Sequence, residues 1–322
     1  MEKIKKAKIK IEKDLQDLEK SLNKSLKSKI NLATEISSYT ISSGGKRIRP
    51  LLSIFIARCL NYSGKELIKL CTAIELLHTA TLIHDDVVDE SDTRRGKPSV
   101  NKKWDIMHSV LVGDFVYSKA FQNMSSLKNP EIIKVLANST NMISEGEVMQ
   151  LSLKASFLSE KDYFQIISNK TAELFKASAV SAALLSNASA EELKFVKHLA
   201  FSLGIIFQIN DDILDYFGDS QRTGKQIGQD LSEGKITLPL IKTYNLSSTK
   251  EKKIIKNSLG NSTKKNITLI KNLIQSSGAL KEVLNIRNKY YKTCIRNTKK
   301  LPSSNFRKLL ENTINELVQI DF

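Results

Sequence analysis

The sequence predicts an all-α protein, and three observations point there. No stretch alternates apolar and polar residues for long, as a half-buried strand would. Only five of the 322 residues are proline, and the glycines fall mostly between long segments whose apolar residues recur at helical spacing. Two acidic runs, His84-Asp85-Asp86-Val87-Val88-Asp89 and Asn210-Asp211-Asp212-Ile213-Leu214-Asp215, repeat the pattern Asp-Asp-x-x-Asp inside apolar sequence that reads as helix. With 41% hydrophobic residues the chain can bury a large core. No linker interrupts it, so residues 1–322 read as a single domain, with a core over about 30–320 and a lysine-rich helical segment, 1–29, before it.

Residues 4–42 read as one or two amphipathic helices, broken by Ser43-Gly44-Gly45. Pro50 suits the first turn of a new helix that continues through the apolar stretch Leu51 to Leu60. After the turn Asn61-Tyr62-Ser63-Gly64, a long helix is expected from about Lys65 to Glu90, followed by a basic loop from Asp92 to Pro98. Further helices are expected near 104–127, 131–152, 160–187 and 190–217. A glycine-rich stretch over 218–235 comes next, and then helices near 236–245, 250–259, 264–276, 278–300 and 303–320.

The formal charge of +16 sits entirely in the flanks. Residues 1–29 carry ten basic and five acidic residues, residues 250–322 sixteen and five, and the stretch between them twenty-four of each. The flanks hold no aromatic stacking pattern, zinc spacing or DNA-binding motif, so no nucleic acid is expected as a partner. A solvated basic surface is the reading preferred, with a weak attraction to anionic lipid beside it. No uninterrupted apolar run of about eighteen residues occurs, and the N-terminus lacks the apolar centre of a signal peptide. Cys59, Cys71 and Cys294 are odd in number and far apart, which suits a reducing, cytoplasmic location.

Chemistry concentrates around the acidic runs. Residues four apart on a helix share a face, so Asp85 points with Asp89 and Asp211 with Asp215. His78, seven residues before Asp85, falls on the same stripe, and Gln208 falls on that of Asp211 and Asp215. Clustered carboxylates repel unless a cation lies between them, and hard oxygen ligands select Mg²⁺, which favours one or two carboxylates plus substrate phosphates. Cations gather where helices break: Lys46, Arg47 and Arg49 after Gly44-Gly45, Arg94 and Arg95 beyond the first acidic run, then Lys170, Lys225 and Lys235. Two anionic groups are implied, one carried on metal and one on bare Lys/Arg. His84, His108 and His198 read as structural. No Ser-His-Asp or Cys-His arrangement, P-loop, dinucleotide fingerprint or HExxH presents itself. Metal-assisted departure of a diphosphate, leaving a carbocation in an apolar cavity, fits this inventory.

Gly44-Gly45-Lys46-Arg47-Ile48-Arg49-Pro50, the two acidic runs, Arg94-Arg95-Gly96, Gly113-Asp114-Phe115, Glu145-Gly146-Glu147, Lys170-Thr171 and Gly224-Lys225 through Gly234-Lys235 occur in the order seen in trans-polyprenyl diphosphate synthases. The resemblance spans roughly residues 30–320. Within that family His78 to Lys97, Gly113 to Met124 and Glu145 to Leu151 look most like the bacterial octaprenyl diphosphate synthases.

The resemblance implies the isoprenoid synthase fold, a single bundle of long helices around a deep central cavity, usually a homodimer. It implies about three Mg²⁺ per active site, two on Asp85 and Asp89 with Asp86 in support, and a third on Asp211 with Asp212 and Asp215 assisting. Arg94, Lys170, Thr171, Gln208, Lys225 and Lys235 would surround the allylic diphosphate, farnesyl diphosphate being the expected starter. Lys46, Arg49, His78 and Arg95 would hold isopentenyl diphosphate without metal. Repeated condensation would give an all-trans chain, octaprenyl diphosphate for a quinone side chain, with heptaprenyl or solanesyl products and a non-catalytic partner subunit as the alternatives. A terpene cyclase needs no isopentenyl site, so these four residues argue against one. Ala80 and Thr81, five and four residues before Asp85, are small where short-chain members often place an aromatic, and Phe121, Met124 and Leu136 are candidates for the floor of the tail cavity. Two departures from the family pattern, Gln229 for Asp and Ile236 for Pro, fall in the phosphate loop. They bear on its closing and not on the reaction class.

Overall fold

The computed structural model describes residues 2–153, 157–218, 227–261 and 263–319. In chain order the helices are α1 (Glu2–Ser25), α2 (Asn31–Ser42), α3 (Ile48–Cys59), α4 (Glu66–Val88), α5 (Val100–Lys103), α6 (Ile106–Ser125), α7 (Pro130–Ser152), α8 (Glu160–Ile167), α9 (Glu173–Leu185), α10 (Ala190–Phe217), α11 (Gln229–Ser232), α12 (Leu238–Leu246), α13 (Thr249–Ser258), α14 (Lys264–Ser276), α15 (Ala279–Thr298) and α16 (Asn305–Val318). Two compact units are distinguished: residues 1–140, 175–197 and 297–312, and residues 141–174, 198–296 and 313–322.

The first unit is built on α4, which packs against α6, α3 and α1. Leu70, Ala73, Ile74, Leu76, Ala80 and Ile83 are fully buried there, on more than one face of the helix, as expected of a core helix. By length and composition α4 is apolar enough to cross a membrane, but 67% of its most apolar window is buried inside the protein. The lysine-rich α1 is also part of the core. Leu18, Leu22 and Leu26, each one turn from the next, have no exposed surface. Asp14 receives Arg58 Nε at 2.8 Å and Nη2 at 2.6 Å in a buried fork. The flank read as a solvated surface therefore has a solvated face only.

Helix α3 starts at Ile48, slightly before the Pro50 boundary, and Pro50 sits in its first turn where no amide donor is needed. The expected basic loop contains a two-residue ladder, Thr93–Arg94 against Lys97–Pro98, with Arg94 opposite Lys97. Its turn residues Arg95 and Gly96 both have positive φ, 52° and 74°, the geometry of a tight two-residue hairpin.

In the second unit, Ile205, Ile209, Ile213 and Tyr216 of α10 pack with Tyr163, Leu231, Leu238 and Ile241. The single helix expected over 160–187 is interrupted by a π-turn, Ser168–Ala172, between α8 and α9. Gly146 lies against this turn. A Cβ there would meet Asn169 Cβ at 2.9 Å and the Lys170 amide nitrogen at 3.0 Å, so only glycine admits the approach.

Candidate active site

In the first unit, α4 ends at the acidic run. Asp85 and Asp89 are half-buried one turn apart, and the Asp89 N–H donates to the Asp85 carbonyl at 2.8 Å. Asp86 points elsewhere. It is 3% exposed and accepts from Arg94 Nε at 2.7 Å and Nη2 at 2.6 Å. Burial pushes the Asp86 carboxyl up, against the pull of Arg94. Asp86 thus orients Arg94, while the half-buried Asp85 and Asp89 offer the hard oxygen donors that suit Mg²⁺ with water and phosphate completing its shell.

The Gly44–Arg49 turn and Arg95 come together. A Cβ on Gly45 would lie 2.8 Å from Arg95 Nη1, so the guanidinium rests on the bare glycine. Arg49 Nη1 meets His78 Nε2 at 3.0 Å, and its guanidinium lies over the Phe175 ring, 4.7 Å from the centroid. Burial, with Arg95 nearby, lowers Arg49 to about 10 even though Glu75 opposes the shift. Burial and then Arg49 and Arg95 drive the His78 pKa well below its ordinary value, so the ring is neutral and its Nε2 accepts from Arg49. Lys46 is exposed beside this group. A small cavity of about 20 Å³ is lined by Arg47, Glu75, Asp86, Arg94 and Arg95 among others.

In the second unit, α10 carries the other acidic run. The Thr171 hydroxyl donates to Gln208 Oε1 at 2.7 Å, Gln208 Nε2 donates to Asp212 Oδ1 at 2.8 Å, and the Tyr163 hydroxyl donates to Asp212 Oδ2. Gln208 therefore serves Asp212, one turn on, rather than the expected stripe of Asp211 and Asp215. Burial, then the charge of Asp230, raises Asp212 to about 8. The Asp215 carboxylate accepts from the backbone N–H groups of Gln229 (3.1 Å) and Asp230 (3.2 Å), tying down the start of α11. Asp211 is half-buried on the same helix. On the π-turn, Lys170 Nζ lies 2.6 Å from Glu147 Oε1 and 2.8 Å from Oε2. Lys235 pairs with Glu233 at 2.7 Å, whereas Lys225 lies outside the described residues.

Ala80 is fully buried, and the Thr81 hydroxyl donates to the His78 carbonyl at 2.8 Å. Met124 and Leu136 are buried, but Phe121 is 45% exposed, with its ring tilted against Tyr117, which in turn stacks on His84. Gly113 explains the glycine of its motif: a Cβ would collide with the His84 ring at 2.2 Å. Sequence reasoning assigned no role to Glu19, Glu75, Tyr117 or Tyr163. Glu75 left a signal, a lone carboxylate within the apolar run Leu70 to Leu77; the tyrosines left none.

Residues 30–276 match the family model described as polyprenyl synthetase. Over 247 residues the chain is 40% identical to the octaprenyl diphosphate synthase of Escherichia coli (strain K12), an alignment covering 76% of each chain. Over 304 residues it is 36% identical to the all-trans-nonaprenyl-diphosphate synthase (geranyl-diphosphate specific) of Rhodobacter capsulatus, covering 94% of this chain and 93% of the other. A solved structure, the polyprenyl synthase from Caulobacter crescentus CB15 complexed with calcium and isoprenyl diphosphate, has a TM-score of 0.89 at 33% identity, covering 95% of this chain and 94% of that one. The relatives differ in product, so what they share is the reaction class and the all-α isoprenoid synthase fold. The chain belongs to the polyprenyl synthetase family, prenyltransferases that use isoprenyl diphosphates.

Proposed function

We propose that this protein condenses isopentenyl diphosphate repeatedly onto farnesyl diphosphate to make octaprenyl diphosphate, in the cytoplasm, for a quinone side chain. The observation that carries the reading is the separation of charge in the first unit. Asp85 and Asp89 offer carboxylates at the end of α4, while Arg49, Arg95 and Lys46, with a neutral His78, form a distinct cationic group. One anion is thereby served through metal and another by side chains alone.

Mg²⁺ ions held by Asp85 and Asp89, and a further one held by Asp211, would neutralise charge on the departing diphosphate. The allylic C1–O bond breaks and its electron pair leaves with the diphosphate. Lys46, Arg49, His78 and Arg95 orient isopentenyl diphosphate so that its double bond attacks C1. A proton then leaves the new cation for the departed diphosphate, and the product is five carbons longer. Arg94, steadied by Asp86, and Lys170 stabilise the leaving group, while Thr171 and Gln208, bonded to each other, line the allylic site. Ala80 and Thr81 let the tail pass, and Met124 and Leu136 supply buried bulk against which growth stops.

A homodimer is part of this reading, supported by Ile106, Met107, Val110 and Leu111, exposed together at the start of α6. Weak association with anionic membrane, supported by the basic flanks, would aid product release. Cys59, Cys71 and Cys294, all buried, agree with a reducing compartment.

The test incubates the protein with Mg²⁺, farnesyl diphosphate and labelled isopentenyl diphosphate and resolves the dephosphorylated products by mass. A dominant forty-carbon alcohol is expected. Another dominant length would replace the octaprenyl assignment, and no incorporation by folded protein would favour the partner-subunit role. Asp85→Ala should fold and lose about two to three orders of magnitude in turnover, the effect of removing charge stabilisation of a leaving group. An active variant would refute the metal assignment.

A further inference from the structure

Arg47 stands between two residues assigned to the isopentenyl site, yet its side chain is engaged with acceptors of the protein itself. Its φ of 46° is left-handed, a conformation that a residue with a Cβ adopts only when held. Three acceptors hold it. Nε donates to Glu19 Oε1 at 2.8 Å, Nη1 to Glu75 Oε1 at 2.8 Å, and Nη2 to the Ile41 carbonyl at 3.0 Å. Glu75 is 3% exposed; burial pushes its carboxyl up, and Arg47, Arg49 and Arg95 pull it back toward the charged form. It is thus a shared counter-ion within a group of guanidinium side chains that would otherwise repel one another. Glu19 comes from α1, which precedes the segment matched by the family model.

We propose that Glu75 and Glu19 are positioning residues for isopentenyl diphosphate. Acting through Arg47, they lock the left-handed turn that aims Lys46 and Arg49, and α1 is thereby a working part of the site. This rests on the assignment of Lys46, Arg49, His78 and Arg95 to isopentenyl diphosphate.

The test measures initial rates of a single condensation with each substrate varied, for the wild type, Glu75→Gln and Glu19→Gln. Glu75→Gln keeps the size and removes the charge. The KM for isopentenyl diphosphate should rise about tenfold, with the allylic KM and kcat within about twofold, because a misaimed turn weakens one substrate selectively. Glu19→Gln, at a half-exposed position that tolerates change, should raise the same KM about threefold. An unchanged or lowered KM for isopentenyl diphosphate overturns the proposal, a lowered one marking Glu75 as a competitor of the diphosphate. A parallel loss in both KM values and kcat, with a lower melting temperature, also overturns it by marking a merely structural role. Where Glu75→Gln fails to fold, Glu19→Gln decides by the same criteria. A wild type that incorporates no isopentenyl diphosphate sinks the functional reading instead, and so the two failures are distinguishable.

Discussion

A histidine two turns before a pair of carboxylates resembles a proton carrier by position, but the surroundings of His78 make it a neutral hydrogen-bonding group. The ring is half-buried, it accepts from Arg49, and Arg94 and Arg95 add like charge. A histidine whose native pKa is depressed binds fewer protons folded than unfolded, so stability rises with pH across its titration. The contribution is complete above about pH 6.5, the ordinary histidine value, and is lost as pH falls below it. Urea unfolding at about pH 7.5 and 5.5 should show a loss in the wild type that His78→Gln reduces, because glutamine can still accept from Arg49 without taking up a proton. An equal loss in both proteins would mean that the ring takes up its proton as readily in the native state as in the unfolded one. Asp212 illustrates the same point for a carboxylate: its two hydrogen-bond partners, Tyr163 and Gln208, make it an internal anchor, while Asp211 is the half-buried neighbour.

Among the elements, the π-turn Ser168–Ala172 gives Lys170 its setting. A turn one residue wider than α-helical displaces the chain locally, and such turns often occur at functional positions. Its position depends on Gly146, on the helix that also carries Glu147, the ion partner of Lys170. Gly146→Ala should therefore push the turn away, lowering stability by about 1–3 kcal/mol, the usual penalty of overpacking, and lowering turnover as Lys170 shifts. Unfolding curves and steady-state rates check this; a variant as stable and active as the wild type would show that the turn yields freely. α10 and α14 were legible from the sequence because apolar residues recur at helical spacing along both, and their ends match the expected 190–217 and 264–276. The π-turn was not legible, because the apolar spacing on either side continues across it and the cause, Gly146, is distant in sequence. The same holds for the ladder at Arg94. Arg95-Gly96 showed a turn, while the two pairs beside it are too short to leave an alternating pattern.

At the scale of the molecule, the distribution of charge gave the least reliable reading. Lysine-rich α1 was expected to be amphipathic with a solvated basic surface, and a count of charges does not show what its apolar face meets. The leucines at 18, 22 and 26 form that face, and Asp14 ties it to Arg58 of α3 in a pair whose side chains are 5% and 6% exposed. Beside the candidate site charges are likewise paired at long range, Arg47 with Glu19 and Glu75, and the motif Gly44 to Pro50 that contains Arg47 does not say which carboxylates it meets. Taking two charges out of water costs nearly what their attraction returns, so such a pair adds little net stability, yet removing one partner leaves the other buried and uncompensated. Asp14→Asn should then cost about 3–5 kcal/mol, while the apolar double replacement Asp14→Leu with Arg58→Met should lie close to the wild type or above it. Urea unfolding of the three proteins decides the matter. If Asp14→Asn costs less than about 1 kcal/mol, as surface pairs typically do, then α1 is not docked through this pair. If the double variant is as unstable as the single one, the pair contributes through its geometry, and α1 is held in place by the fork of Arg58 on Asp14 rather than by its leucine stripe.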